Sequence, residues 1–176
     1  MQRAALAAAI SDSARLTGSF LLRSGQRATE YFDKYQFESD PVLLAAVAAH
    51  LAPLVPAGVQ LLGGLELGGV PIATALSLRS GLPAVFVRKQ AKTYGTARLA
   101  EGADVAGRRL LVVEDVVTSA GQVAMSTVEL RRLGAEVTDA ICVLDREQGG
   151  AAALAEIGVR LHPLFVASEL TASTGC

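Results

Sequence analysis

Apolar runs of strand length recur along the chain, and segments with helical spacing lie between them. Val59–Leu62, Ala84–Val87, Leu110–Val117, Val137–Leu144 and Arg160–Val166 are the strands that the sequence predicts. Pro41–Leu51, Val70–Ser80, Gly121–Leu133 and Gly150–Ile157 are the predicted helices. The strand runs do not alternate polar with apolar, as a strand with one wet face must, so both faces are to be covered. Gly81, Gly134 and Gly158 stand where helices end in the left-handed conformation. The fold class that follows is α/β: a doubly wound, mainly parallel sheet with helices on both faces. In such sheets ligands bind beyond the carboxyl ends of the strands.

A length of 176 residues suits one domain, and no repeat, linker or charge block divides it. Hydrophobic residues make up 51%, much of it alanine, which leaves enough for a sizeable core. A net charge of −1 and a pI near 6.1 argue against a general nucleic-acid binder, which needs a basic surface. Val42–Gly63 carries no formal charge, but Pro53, Pro56 and Gly58 interrupt it and His50 and Gln60 sit inside it. Asp40-Pro41 reads as the N-cap and first-turn proline of an ordinary helix, with Leu43, Leu44, Val47 and Leu51 on one face, so no membrane span is expected. The apolar run Ala4–Ile10 is too short for a signal peptide, and Ser11-Asp12-Ser13 reads as a break after it. Cys142 and Cys176 are too few for a disulfide scaffold, and a reduced, cytoplasmic compartment is expected. From Arg88 to Val105 the chain is polar and basic without a periodic apolar face, as either a functional lid or a disordered segment would be.

The chemistry concentrates in Leu110-Leu-Val-Val-Glu114-Asp115-Val-Val-Thr118-Ser119-Ala120-Gly121-Gln122. Two carboxylates end a buried strand, where burial without partners is costly. The small residues after them open directly into a helix. Backbone N–H groups, hydroxyls and the positive end of the helix dipole can surround a phosphate there. The carboxylates can accept hydrogen bonds from vicinal sugar hydroxyls. A solvated turn with an acidic cap would satisfy the same pattern. Neither a Walker loop nor a dinucleotide fingerprint is present.

This segment resembles the phosphoribosyl pyrophosphate (PRPP) binding motif of type I phosphoribosyltransferases. Gly18–Lys34, Gly63–Ala75, Phe86–Gly102 and Val143–Gly149 are similar, in order, to further motifs of the orotate phosphoribosyltransferase family. The resemblance touches most of the chain from Gly18 onward. It implies the family fold, with a small hood from about residues 1–35 and a mobile lid over about 88–105. It also implies transfer of a phosphoribosyl group from PRPP to orotate, giving orotidine 5′-monophosphate and pyrophosphate.

Carried over by position, the resemblance gives Glu114 and Asp115 the ribose hydroxyls, and the segment from Val116 and Val117 through Thr118, Ser119, Ala120, Gly121 and Gln122 the 5′-phosphate. Glu66, Leu67, Gly68 and Gly69 match the pyrophosphate-side loop. Arg88, Lys89, Lys92 and Tyr94 match the basic loop that meets the departing pyrophosphate, and Lys92 is expected to matter most to rate. Catalytic weight is expected on Lys92, Asp115 and Glu114. Arg146 matches the orotate-carboxylate ligand, with Thr118 on the same substrate and Tyr31 and Phe32 over the pyrimidine. The family's lid closes over the neighbouring active site, which implies a homodimer. Mg²⁺ is implied, held by PRPP and water and not directly by protein.

Ala120 departs from the family's usual glycine, and an alanine is at ease there only with negative φ. Tyr94 stands where many members have His, and Arg23 and Gln26 differ from the commoner residues of the first motif. Two alternatives are a phosphoribosyltransferase for a purine, opposed by Arg146 and Gly18–Lys34, and a PRPP-binding regulator, which would need a nucleic-acid surface.

Overall fold

A computed structural model of the chain describes residues 1–21, 25–90 and 99–172. At its centre lie β3 (Leu61–Leu65), β4 (Ala84–Val87), β5 (Ala100–Glu101), β6 (Arg109–Val117), β7 (Glu136–Asp145) and β8 (Arg160–Val166). They form one sheet in the order β5-β4-β3-β6-β7-β8. Every neighbouring pair is parallel except β4 with β5. Helices α4 (Gly69–Ser80), α5 (Gly121–Arg132) and α6 (Gly150–Glu156) make the crossovers, and α3 (Pro41–Leu51) precedes the first central strand.

Alternate residues of each central strand feed two separate cores. Leu62, Leu111 and Val113 pack with Val47, Ile72 and Leu76 on one face. Leu61, Leu110 and Val112 pack with Val123, Leu130 and Leu154 on the other. Burial on both faces is why the strands read as unbroken apolar runs. The predicted glycine stops hold: Gly81, Gly134 and Gly158 have φ of 77°, 87° and 70°. So does the Asp40 cap, whose Oδ1 accepts from the N–H groups of Val42 at 2.8 Å and Leu43 at 3.0 Å.

Three expectations are corrected. Ser11-Asp12-Ser13 is no break, because α1 (Arg3–Ala14) runs through it. Leu6, Ile10 and Ala14 anchor α1 in the first core, and Ser13 Oγ donates to Ile10 O at 3.2 Å, so packing overrides the weak helix propensity of those residues. The first central strand lies two residues later than Val59–Leu62, over Leu61–Leu65, and includes Gly63 and Gly64. A Cβ on Gly64 would fall 2.7 Å from Gly69 O and 2.8 Å from Ala73 Cβ, so the glycine is there for the close approach of α4. Finally, 88–105 is not structureless throughout: β5 pairs antiparallel with β4, and Arg88 N–H donates to Leu99 O at 2.9 Å.

Ahead of the main sheet, β1 (Arg15–Leu21) and β2 (Arg27–Phe32) form a separate antiparallel ribbon, followed by the short helix α2 (Tyr35–Ser39). A last helix, α7 (Ala167–Ala172), follows β8. The winding reverses between β3 and β6. That is the switch point at which an open α/β sheet leaves a crevice at its carboxyl edge.

Candidate functional site

Two turns flank the switch point: 65–69 after β3 and 117–121 after β6. Glu114 and Asp115 lie near the carboxyl end of β6, behind the buried Leu110, Leu111, Val112 and Val113. Pairing with β7 at Glu114 and at Val116 holds this stretch of backbone, so the carboxyls are placed by the sheet and not by a loop. Glu114 Oε1 accepts from Asp115 N–H at 3.1 Å, and Asp115 Oδ1 accepts from Val116 N–H. Asp115 is fully buried, with its Oδ2 against Lys34 Nζ. A Cβ on Gly68 would fall inside that carboxyl, so only glycine fits the turn at this position.

A third carboxyl, Glu38 of α2, is 5% exposed beside this pair. Burial, then the neighbouring Asp115 carboxylate, push the Glu38 carboxyl up to about 9. Burial and the neighbouring Asp115 push Glu114 to about 9 as well. Burial would raise Asp115 too. Its neighbours Glu114, Lys34 and Glu38, together with the Lys34 charge, outweigh it and hold Asp115 below the usual carboxylate range. Lys34 is raised, since burial, which lowers it, yields to its hydrogen bond and charge pairing with Asp115.

Past the carboxyls, Val116 is half-buried, Val117 is buried, and Thr118 and Ser119 are exposed at the mouth of the crevice. Ala120 corrects an expectation: its φ is +61°, not negative. The chain must turn sharply from β6 into α5, and a left-handed residue makes that turn. The strain is about 1–2 kcal/mol for an L residue, and the surrounding core has to hold it. The first amides of α5 have no partner within the helix and face the turn, which makes an anion seat. Gln122 is tied back by donating from Nε2 to Ser126 Oγ at 3.1 Å.

Across the crevice, Glu66 N–H donates to Val87 O at 2.8 Å, and Glu66 Oε1 accepts from Lys89 N–H at 2.6 Å. The carboxylate of the 65–69 turn therefore holds the start of the basic segment. Leu67 is exposed, Gly68 and Gly69 are buried, and the Glu66–Leu67 peptide is cis. Arg88 Nε donates to Glu101 Oε1 at 3.3 Å, which points the guanidinium along the β4–β5 ladder, while Lys89 is exposed. A cavity of about 960 Å³ brings Arg88, Lys89 and Gln122 together over apolar residues of α5. Lys92, Tyr94, Arg98 and Arg23 lie outside the described residues.

Arg146 follows β7, and its N–H donates to Val117 O at 2.8 Å, so it is moored to the turn after the acid pair. Its guanidinium carbon lies 5.9 Å from the centre of the Phe32 ring. Tyr31 packs tilted on Phe20, with ring centres 5.5 Å apart, and is partly exposed. Tyr31, Phe32 and Arg146 line one cavity of about 260 Å³, so the structure brings together residues from two motifs distant in the chain. Thr118 does not line that cavity.

Lys34, Glu38 and Arg15 are the site residues that the sequence reading missed. Lys34 ends a matched motif, but no spacing pairs it with Asp115. Glu38 neighbours the buried Phe37, and a charge beside an aromatic on a short helix is the only signal it gave. Arg15 lines the cavity of Tyr31, Phe32 and Arg146 from the end of α1.

No protein-family model matches the chain. It is 55% identical over 170 residues to an orotate phosphoribosyltransferase of Nocardioides sp., covering 97% of this chain and 95% of the relative. It is 44% identical to that of Methanocella arvoryzae, covering 87% of both. Among solved structures it is similar to Mycobacterium tuberculosis orotate phosphoribosyltransferase in complex with PRPP. That likeness has a TM-score of 0.83 at 29% identity and covers 96% of this chain and 98% of the other.

Proposed function

The chain belongs to the orotate phosphoribosyltransferase family, and we propose that its acid pair and the turn after β6 hold the phosphoribosyl donor. The activity is transfer of the 5-phosphoribosyl group from PRPP to orotate, giving orotidine 5′-monophosphate and pyrophosphate, a step of pyrimidine biosynthesis. The reading of the site rests on one observation: Glu114 and Asp115 lie near the carboxyl end of β6 at the switch point, and the turn 117–121 leads from them to the open N-terminus of α5.

In this reading the amides and hydroxyls of 117–121 bind the 5′-phosphate, with Thr118 and Ser119 exposed to it. The carboxyls of Glu114 and Asp115 accept from the ribose hydroxyls. The 65–69 turn and the basic segment with Arg88, Lys89, Lys92 and Tyr94 receive pyrophosphate. Charge builds at the ribose carbon as the bond to pyrophosphate breaks, so cations on the departing oxygens and fixed carboxyls near the ribose lower the barrier by electrostatics. Tyr31, Phe32 and Arg146 hold orotate beside the turn, Arg146 as a fork on its carboxylate. No side-chain nucleophile is needed.

Mg²⁺ fits as an ion carried by the substrate. Lys34 rests on Asp115 and balances its charge, so that carboxylate is already partnered by a cation. The oxygens that suit it are those of pyrophosphate, ribose and water, and no protein side chain would be a direct ligand. When bound, the ion neutralises part of the pyrophosphate charge.

A homodimer with a lid shared between subunits completes the reading. Phe86, Met125, Val128 and Leu133 are exposed apolar side chains, which supports a face that a second copy covers. We place the enzyme in the cytoplasm, where a free buried thiol such as Cys142 stays reduced. No helix among the described residues is long and apolar enough to cross a membrane.

The test is turnover of orotate, adenine and hypoxanthine with PRPP by the parent and by Asp115→Asn. Orotate alone should react, and Asp115→Asn should lose at least about a hundredfold in kcat/KM for PRPP, the loss of a charged contact and its field. An active Asp115→Asn overturns the ribose assignment.

A further inference from the structure

Glu38 belongs to no motif, yet its carboxyl is buried and neither of its oxygens has a hydrogen-bond partner among the described residues. An ionised carboxylate so placed has nothing to solvate it. A carboxylic acid has a proton to give, and the Asp115 carboxylate, whose charge acts on Glu38, is the acceptor within its reach. One helical turn earlier, the Lys34 ammonium rests on the same aspartate. The groups facing Asp115 are thus Lys34 and Glu38 from the N-terminal segment, Glu114 from its own strand and Gly68 from the opposite turn. Tyr35 adds its ring 5.3 Å from the Lys34 ammonium. Three ionised carboxyls with one ammonium would leave two uncompensated negative charges in an almost dry site. Protons on Glu38 and Glu114 leave a neutral set in which Asp115 is the anion.

We propose that Lys34 and Glu38 are positioning residues for Asp115, the ammonium as its counter-charge and the Glu38 carboxyl as its hydrogen-bond donor. Neither touches substrate. Together they keep Asp115 ionised and turned to a fixed rotamer, as an acceptor for a ribose hydroxyl must be. The segment that follows the β1–β2 ribbon thereby acts on the donor site at the far end of β6. The inference rests on the ribose role of Asp115, and Asp115→Asn is its control.

The experiment is the pH dependence of kcat/KM for PRPP in the full-length protein. Glu38→Leu should lose about tenfold or more, as removal of a hydrogen bond to a charged group does. Glu38→Gln keeps a donor at every pH, so it should recover most of that loss and abolish the alkaline limb that Glu38 causes. Lys34→Met should move the acid limb up by about one pH unit, since Asp115 loses its counter-charge, and Lys34→Arg should move it back. Unfolding midpoints across the same pH range read these groups without substrate, and Glu38→Gln should flatten their alkaline decline. The proposal is overturned by Glu38→Gln that matches Glu38→Leu, by limbs unmoved in Lys34→Met, or by an unchanged stability profile in Glu38→Gln. An active Asp115→Asn overturns the ribose reading and this proposal with it.

Discussion

Arg146 illustrates how much one backbone contact decides. Its side chain is long, but its N–H is fixed to Val117 O, which starts the side chain at the turn after β6 and lets the guanidinium lie by the Phe32 ring. Arg146→Ala should raise KM for orotate by tenfold to about a hundredfold, the worth of a charge-assisted pair, and leave KM for PRPP nearly unchanged. Steady-state kinetics with each substrate varied in turn checks this; equal effects on both substrates would remove the carboxylate role. At the same scale, the sequence carried Glu114, Asp115 and Arg146 in recognisable motifs. It carried no sign that Lys34 and Glu38 meet Asp115, because that contact joins α2 to β6 across some 80 residues of chain.

The elements meet at the site through very short approaches. Helix α6 begins against the turn that ends β6, and a Cβ on Gly150 would clash with Thr118 O and with Val117 Cγ1. The nearer obstacle is backbone, which cannot swing aside. Gly150→Ala should therefore destabilise by about 1–3 kcal/mol, as overpacking does, and also raise KM for PRPP, because relief must come from moving the turn. Denaturant unfolding and kinetics on one preparation check both halves. Strand and helix types were legible in the sequence because apolar periodicity reports burial directly. The extent of α1 and the pairing of β5 with β4 were not, since Ser11 to Ser13 and Ala100-Glu101 are held by contacts distant in sequence.

For the whole molecule, the buried carboxyls set the response to pH. The ordinary value of Glu38 and Glu114 is 4.5, and in the folded chain both rise to about 9. The stability they contribute is complete below 4.5 and is lost as pH rises toward 9. Asp115, held below its ordinary 3.8, works in the opposite sense: its contribution is present above 3.8 and fails as pH falls through the folded value. Denaturant midpoints should thus peak in mildly acidic buffer and decline toward pH 9, while a flat profile over that range would contradict the buried triad. The shared lid makes a second prediction at this scale. Lys92→Ala and Asp115→Asn should each be nearly inactive, yet a mixed dimer has one site with both groups intact. Random re-association should restore about a quarter of parental activity, half the dimers with half their sites. No recovery with heterodimers verified by mass would refute sharing.

The amino-acid order alone determined the two-sided sheet, the helices on its faces, the glycine stops and the family motifs. Those features rest on local periodicity and on residue types that chemistry demands at fixed spacing. Only the tertiary structure decided which charges meet. It put Lys34 and Glu38 near Asp115, the Lys89 backbone N–H on the Glu66 carboxylate, and Glu101 on Arg88. It also forced Ala120 to a positive φ. The reason is physical: a pattern along the chain records how dry each position is. The partner of a buried charge is fixed by how separate elements dock.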